Sequence, residues 1–173
     1  RFGNVTALVT GGAATEVVDA LYTDGNFIMA STHVVAAPTV GVLYVSYDSG
    51  ATWSVVADVV EVILDIVDAN GTLVLVGGDS TDGGRVFLTE DRGQTIVEIT
   101  DTDIPASTAL TGAAFDKDTN QIYIVGDSGV LLKGRISGTS LPLADLSANL
   151  SGAPGDIKAI ALITKNEIIV GGA

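Results

Sequence analysis

The sequence predicts an all-β protein. Short runs of β-branched and aliphatic residues recur along the 173 residues, and turns rich in Asp, Asn and Gly separate them. A unit of two such runs joined by one such turn occurs four times at a nearly constant period. Four copies of one strand–turn–strand unit indicate repeated antiparallel sheets rather than one continuous core.

Each unit opens with an inner pair of strands. Ala30, Val76, Val125 and Val170 occupy equivalent positions in the second strand of the pair and lie 46, 49 and 45 residues apart. This spacing matches the period of roughly 40–50 residues that is typical of β-propeller blades. The inner pairs are predicted at 17–22 with 27–30, 63–67 with 73–78, 110–115 with 122–126, and 157–163 with 168–172.

Two further strands are expected to complete each four-stranded antiparallel sheet. Pro142 interrupts the last predicted outer strand, and because proline cannot donate to a strand ladder we expect that strand at a sheet edge. The fourth unit reaches Ala173 without an outer pair. The predicted fold is therefore a β-propeller of about four blades. The outer pairs are predicted at 42–46 with 53–57, 85–89 with 95–99, and 130–133 with 141–146.

The chain is expected to form a single propeller domain or segment over 1–173. A strand predicted at 5–9, within 1–10, is either the outer strand of a preceding unit or the strand that closes the ring by completing the fourth unit. The missing outer strands favour a fragment of a larger propeller over a small closed ring, and further blades or a protein partner would cover its exposed sheet. The units span approximately 17–58, 62–104, 109–150 and 156–173.

Two turns between third and fourth strands share the motif Ser/Thr-x-Asp-x-Gly-x-Thr. The motif residues are Ser46, Asp48, Gly50, Thr52 and Trp53 in the first copy, and Thr89, Asp91, Gly93 and Thr95 in the second. In the second copy Ile96 replaces the tryptophan. The motif resembles the Asp-box, or BNR repeat, of sialidase-like propellers, of related glycosidases and sorting receptors, and of photosystem II assembly-factor-like propellers. The third unit lacks the motif. The repeat period thus extends the resemblance over the whole chain, whereas the motif itself occurs in two units.

The chemistry of this motif is structural. We expect the carboxylate of Asp48 to accept N–H groups of its own turn, Gly50 to supply a positive φ, and the indole of Trp53 to pack between neighbouring sheets. In the families that it resembles, the Asp-box lies at the blade periphery, away from the ligand-binding face. Asp48 and Asp91 are therefore predicted to staple hairpins rather than to catalyse a reaction.

The composition excludes several kinds of partner and site. The chain has 8 Lys and Arg residues and 21 Asp and Glu residues, which gives a formal net charge of −13. Scattered cations on so acidic a chain form no basic face for nucleic acid or for anionic membrane. Cysteine is absent, which excludes disulfides and thiolate metal sites. The longest apolar run, 34–45, is broken by Pro38 and Gly41 and is shorter than the roughly 20 residues of a spanning helix, so no membrane insertion is expected.

No catalytic constellation stands out in the sequence. The arginines form no cluster of the kind that sialidase chemistry needs for a substrate carboxylate. Asp19 and Asp65 lie in innermost strands and are the candidate channel-facing carboxylates of a glycosidase pair, although a satisfied strand-end carboxylate explains each more simply. His33, the only histidine, is expected in a solvated loop. Asp116 and Asp118 open a segment like a calcium loop, but a hairpin turn explains it better because Gly is missing at position six. No metal or other cofactor is predicted, and calcium is kept as the alternative.

The sequence therefore predicts a non-enzymatic structural or interaction module with a protein partner. Its Gly/Thr/Asp/Ala/Val-rich, Lys-poor and Cys-free composition favours an extracellular, cell-surface or virion-associated protein, such as a tail or receptor-binding component. Two alternatives stay open. One is a glycan-binding or glycoside-hydrolysing propeller domain, and the other is an assembly-factor propeller, although relatives of the latter use a basic patch that this acidic chain lacks.

Overall fold

The computed structural model describes residues 16–35, 37–57, 59–150, 155–164 and 167–172, and within them it confirms the predicted all-β, propeller-like fold. Three four-stranded antiparallel sheets are followed by one two-stranded sheet. The helical elements in this part are single 3₁₀ turns, Asp127–Gly129 and Ser147–Asn149. None of its helices is long and apolar enough to cross a membrane. The strand predicted at 5–9 and the turn at 165–166 lie outside the described residues.

The strands of each sheet follow chain order, and each pairs with the next. Sheet 1 contains β1 (Glu16–Asp24), β2 (Phe27–Val34), β3 (Ala37–Ser46) and β4 (Ser54–Val56). Sheet 2 contains β5 (Ile63–Ala69), β6 (Thr72–Asp79), β7 (Gly83–Thr89) and β8 (Val97–Glu98). Sheet 3 contains β9 (Leu110–Asp116), β10 (Gln121–Gly126), β11 (Leu131–Arg135) and β12 (Leu143–Asp145). Sheet 4 contains β13 (Ile157–Thr164) and β14 (Glu167–Gly172).

The first strands of the sheets lie beside one another, β1 against β5, β5 against β9, and β9 against β13. The sheets therefore stack face to face with their first strands innermost, as blades do. Strand β12, which follows Pro142, is an edge strand, as the proline predicted.

The core consists of three layers, one between each pair of successive sheets. Strand β6 shows how a middle sheet serves two layers at once. Leu73 and Leu75 pack in the layer shared with sheet 1, whereas Val74 and Val76 pack in the layer shared with sheet 3. Because the side chains of a strand alternate between faces, a sheet that is covered on both sides needs an unbroken apolar run. The high hydrophobic fraction of the chain follows from this arrangement.

Two features of sheet 1 differ from the prediction. The hairpin between β2 and β3 extends to Val34 and Ala37, so Ser31, Thr32 and His33 belong to strand β2 instead of a loop. The prediction of a solvated loop position for His33 is therefore wrong. The fourth strand of sheet 1 is also shorter than predicted, since it covers Ser54–Val56 rather than 53–57.

Glycines at the ends of the second strands allow a close crossing of the chain. A Cβ atom on Gly77 would lie 2.0 Å from the carbonyl oxygen of Val62, and one on Gly126 would lie 2.4 Å from that of Ala109. In both sheets this carbonyl belongs to the segment that enters the innermost strand. The repeated glycine after Val76 and Val125 is thus required by contact between backbones within each sheet.

Replacement of Gly77 by alanine should therefore destabilise the protein strongly. The added methyl group meets backbone rather than a flexible side chain, and we expect the free energy of unfolding to fall by about 3 kcal/mol. Urea denaturation measures the change. Gly171→Ala is the matched control, because a Cβ there meets nothing within 4 Å, and it should change stability by about 0.5 kcal/mol or less. Equal stability of the two variants would contradict the close contact between the backbones of Gly77 and Val62.

Candidate functional site

The first motif turn is held by its own polar side chains. Oδ1 of Asp48 accepts the backbone N–H of Thr52 at 2.8 Å and the hydroxyl of Ser46 at 2.8 Å, while Oδ2 accepts the hydroxyl of Thr52 at 2.7 Å. The hydroxyl oxygen of Ser46 in turn accepts the N–H of Gly50 at 2.8 Å. Gly50 has φ +83°, a left-handed conformation that glycine adopts without strain. Both carboxylate oxygens are therefore used inside the turn.

These hydrogen bonds lower the pKa of Asp48 to about 2, and the hydroxyl of Thr52 is the largest cause. Trp53 closes the same turn, because its indole N–H donates to the carbonyl of Gly50 at 3.2 Å. The half-buried indole ring also lies close to Gly50, and its packing between sheets stays a prediction. Because both oxygens of Asp48 accept hydrogen bonds within the turn, this carboxylate stabilises the backbone of the turn.

The second motif turn repeats the network. Oδ1 of Asp91 accepts the hydroxyl of Thr89 at 2.9 Å and the N–H of Thr95 at 2.8 Å, and the hydroxyl oxygen of Thr89 accepts the N–H of Gly93 at 2.8 Å. Hydrogen bonds from Thr95 are the first cause of a lowered pKa at Asp91. Ile96, at the position of the tryptophan, packs against the core layer between sheets 1 and 2. The two turns thus share one hydrogen-bonding scheme, and their membership of the Asp-box family stays a prediction.

The second turn is also seated on the neighbouring sheet. A Cβ on Gly93 would lie 3.0 Å from the methyl carbon of Met29 in sheet 1, so the turn packs closely there. The guanidinium of Arg92 donates to Asp24 at 2.8 Å and lies 5.5 Å from the ring centroid of Phe27, and the carbonyl of Arg92 accepts the hydroxyl of Tyr47 at 3.0 Å. The sequence assigned Arg92 no role, because only the packing of the sheets brings these residues together.

Each innermost strand contains a bulge near the same level. The register skips one residue at Asp19, Leu64, Thr111 and Lys158. A bulge turns the extra residue away from the ladder and re-aims its side chain. The hydroxyl of Thr111 donates to the carbonyl of Ile157 in the next sheet, and the ammonium of Lys158 pairs with Asp127 in the previous one. Two of the four bulges, at Thr111 and Lys158, therefore place polar side chains at the seam between sheets 3 and 4.

The bulge at Asp19 faces His33. Nδ1 of His33 lies 2.8 Å from each oxygen of Asp19, and the two side chains are 20% and 9% exposed. An Asp–His pair becomes catalytic when a nucleophile lies within reach. The hydroxyl of Ser31 instead accepts the N–H of Ile63, the hydroxyl of Thr32 donates to Glu16, and both residues are fully buried. The pair is therefore a strand-to-strand tie within sheet 1.

Asp65 joins two sheets. Its Oδ2 accepts the N–H of Ala113 in sheet 3 at 2.9 Å, and its Oδ1 accepts the N–H of Ile66 at 2.9 Å. Asp19 and Asp65, which the sequence placed in one channel as a pair, thus bind different partners. Asp19 is the side-chain partner of His33, whereas Asp65 accepts backbone amides. That both carboxylates face one channel stays a prediction.

Two further carboxylates cover the edge of sheet 3. Asp101 accepts the N–H of Leu143 at 3.1 Å, and Asp103 accepts that of Asp145 at 3.2 Å. Both acids lie in the connection from sheet 2, and their two-residue spacing matches alternate amides of strand β12. Side chains therefore occupy positions that a further strand would take, which blunts this edge.

The sequence reasoning also missed the ionic group around Arg85. Arg85 lies 3.6 Å from Glu61 and 3.3 Å from Glu98, and burial raises the pKa of Glu61. Of the described acids whose pKa clearly departs from its ordinary value, Glu61 alone is shifted upward. No motif marks Glu61, because the group forms only when the connection to sheet 2 folds over β7. The guanidinium of Arg85 pairs with the carboxylates of Glu61 and Glu98 and so holds that connection against β7.

The segment that opens like a calcium loop forms the turn between β9 and β10. Asp116 accepts the N–H of Asp118 at 2.9 Å and the hydroxyl of Thr119 at 2.6 Å, and Asn120 adopts φ 56°. These are the contacts of an Asx-type turn. Among the described residues no group of three or more His, Cys, Asp or Glu is arranged to hold a metal ion.

No family model matches the chain, and no curated protein matches it. Among solved structures the chain is similar to one described as YCF48 bound to D1 peptide. The match covers 90% of this chain and 74% of that chain at 10% sequence identity, with a TM-score of 0.34. Because this correspondence is loose, the fold description rests on the strand pairing of the chain itself.

Substitution of Thr52 by valine should raise the pKa of Asp48. The variant removes the hydroxyl that is the largest cause of the shift, so the pKa of Asp48 should rise from about 2 towards its ordinary value. Because the folded-state pKa is lowered, Asp48 stabilises the wild-type protein above about pH 4 and loses that effect as the pH falls towards 2. Carboxyl-carbon NMR titration measures the pKa. Thr23→Val, at an exposed threonine of β1, should leave it unchanged, and an unchanged value in Thr52→Val would contradict the assignment.

Substitution of Asp65 by alanine should destabilise the seam between sheets 2 and 3. The N–H of Ala113 loses its acceptor, and an unsatisfied buried donor costs about 1–3 kcal/mol. Asp65→Asn keeps an acceptor oxygen and should lose less. Thermal and urea unfolding compare both variants with Asp82→Ala, which removes an exposed carboxylate. If Asp65→Ala is as stable as Asp82→Ala, Asp65 does not tie the sheets together.

Proposed function

We propose that the chain is a non-enzymatic interaction or structural module built on its propeller-like frame. One observation carries the proposal: the carboxylates best placed for chemistry are already occupied as structural acceptors or as the hydrogen-bond partner of His33. Asp48 and Asp91 hold turns, Asp65 binds an amide of the next sheet, and Asp19 pairs with His33. A general acid and base need separated pKa values on one converging site, whereas these groups lie in separate structural networks.

The proposed partner is a protein. Stacked sheets provide a rigid frame, and the turns at their ends present a surface that can vary without changing the core. The described turns expose several carboxylates, and Asp24, Asp68 and Asp118 are examples. A net charge of −13 would favour the approach of a basic protein surface and would oppose nucleic acid.

We also propose an extracellular, cell-surface or virion-associated location, with a role such as that of a tail or receptor-binding component. The support is compositional: the chain has no cysteine, few lysines and many Gly, Thr, Asp, Ala and Val residues. Two-sided burial of the sheets gives a frame that needs no disulfide. Such a frame would suit a protein that is exposed outside the cell.

An enzymatic assay separates this function from a glycoside hydrolase. The protein should show no turnover of fluorogenic glycosides above buffer, and Asp19→Asn and Asp65→Asn should match it. Turnover that either substitution abolishes would overturn the proposal. Binding to a glycan array without turnover would instead favour a carbohydrate-binding module. Cross-linking of the native protein in its source should join its exposed turns to a protein partner, and absence of any protein cross-link would also contradict the proposal.

A further inference from the structure

The hairpin between β5 and β6 ends in an exposed Asn-Gly pair. Asn70 and Gly71 are the two residues of its turn, since Ala69 and Thr72 face each other across the ladder. Their φ angles are 57° and 94°. Two consecutive left-handed residues form the tight hairpin turn for which Asn-Gly is a preferred sequence. Of the six asparagines in the sequence, Asn70 alone precedes a glycine.

An asparagine that precedes glycine is chemically reactive, because the backbone nitrogen of the glycine can attack the side-chain amide and close a cyclic imide. The two groups belong to adjacent residues, so the reaction is intramolecular and its effective concentration is high. A side chain on the second residue would crowd the attacking nitrogen. Gly71 has none, and a Cβ placed there would meet nothing within 4 Å. Both residues are exposed, so water can reach the imide.

The attacking nitrogen has a proton acceptor beside it. The N–H of Gly71 donates to Oδ1 of Asp68 at 2.7 Å, a distance at which a general base can work. The other oxygen of Asp68 accepts the hydroxyl of Tyr22 at 3.1 Å, and Tyr22 belongs to β1 of the neighbouring sheet. The turn and the packing of sheets 1 and 2 therefore hold this carboxylate with one oxygen on the nucleophile.

A second turn contains a similar asparagine without the reactive pair. Asn120 ends the turn between β9 and β10, is exposed, and has φ 56°. It precedes Gln121, whose side chain would crowd the attacking nitrogen. The side-chain amide of Asn120 also donates to the carbonyl of Ile136 at 3.1 Å. Asn120 is therefore an internal control for the reactivity of Asn70.

We propose that Asn70 is a site of spontaneous deamidation in the folded protein, with Asp68 as the general base. The nitrogen of Gly71 bonds to Cγ of Asn70 while its proton passes to Asp68. The bond from Cγ to Nδ2 then breaks, and Nδ2 takes up that proton and leaves as ammonia. The imide adds one water molecule at either carbonyl carbon and opens to aspartate or to isoaspartate. The inference goes beyond the proposed interaction function and does not depend on it.

The reaction changes the hairpin in two ways. Either product adds a negative charge beside a cleft that Asp24, Asp68 and Glu90 line, and like charges repel. Isoaspartate also carries the chain through its side-chain carbon, which lengthens the backbone of a turn that fits two residues. Strand β5 lies between β1 and β9, so a weakened hairpin affects the contacts with both neighbouring sheets. Deamidation is thus an irreversible change that accumulates with the age of the protein.

Ageing of the intact protein at neutral pH and physiological temperature tests the site. Peptide mapping by mass spectrometry should show Asn70 converted to aspartate and isoaspartate about tenfold faster than Asn120, or more, because only Asn70 has an uncrowded nucleophile. Asn70→Gly keeps a residue that adopts a positive φ without strain, and it should form no isoaspartate in this turn. No conversion of Asn70, or equally fast conversion of Asn120, would overturn the inference.

Two charge-matched variants, both checked for folding by circular dichroism, test the role of Asp68. Asp68→Asn should slow the conversion of Asn70 by about tenfold or more, because it removes the general base. Glu90→Gln removes another carboxylate from the same cleft and should convert like wild type. Faster conversion in Asp68→Asn would overturn the assignment, because the hydrogen bond would then only hold the turn rigid.

Unfolding in urea provides the second measurement. Wild type and Asp68→Asn should then convert at the same rate, because the carboxylate is no longer held beside the nitrogen of Gly71. A difference between them that persists in urea would show that the fold does not place the base, and it would also overturn the assignment.

Discussion

The packing of each sheet face against the next sheet is the interaction on which the structure depends. A β-sheet of this size cannot bury both faces within itself, so each of the middle sheets must be covered by two neighbours. Strand β6 meets this demand with six consecutive apolar or glycine positions, all buried. Because the faces are reserved for packing, charges are displaced to turns, connections and seams. The high hydrophobic fraction of the chain is a consequence of this constraint.

The displaced carboxylates serve as backbone acceptors. Asp48, Asp91 and Asp101 each bind amide groups that no strand satisfies, and hydrogen bonding lowers the pKa of all three. An acid that is stabilised in its charged form is a poor proton donor near neutral pH. These three carboxylates thus act as structural acceptors of backbone amides. Glu61, with its raised pKa, is held beside Arg85 and supports a connection.

Three local devices recur in more than one repeat. Bulges re-aim polar side chains of the innermost strands, glycines admit a crossing backbone, and turns from one sheet rest on another. Each device is local in sequence but acts between segments that are far apart along the chain.

The sequence by itself determined the all-β class, the strand pairs and the two motif turns. Strand alternation, Asp- and Gly-containing turns and a constant period are local signals, because they depend on residues only a few positions apart. The contacts of Asp48 within its turn could be anticipated for the same reason. Only the tertiary structure decided that His33 lies in a strand beside Asp19, that Asp65 binds Ala113, and that Arg92 rests on Phe27. These contacts join different strands or sheets, so their partners are set by register, bulges and packing rather than by neighbouring residues.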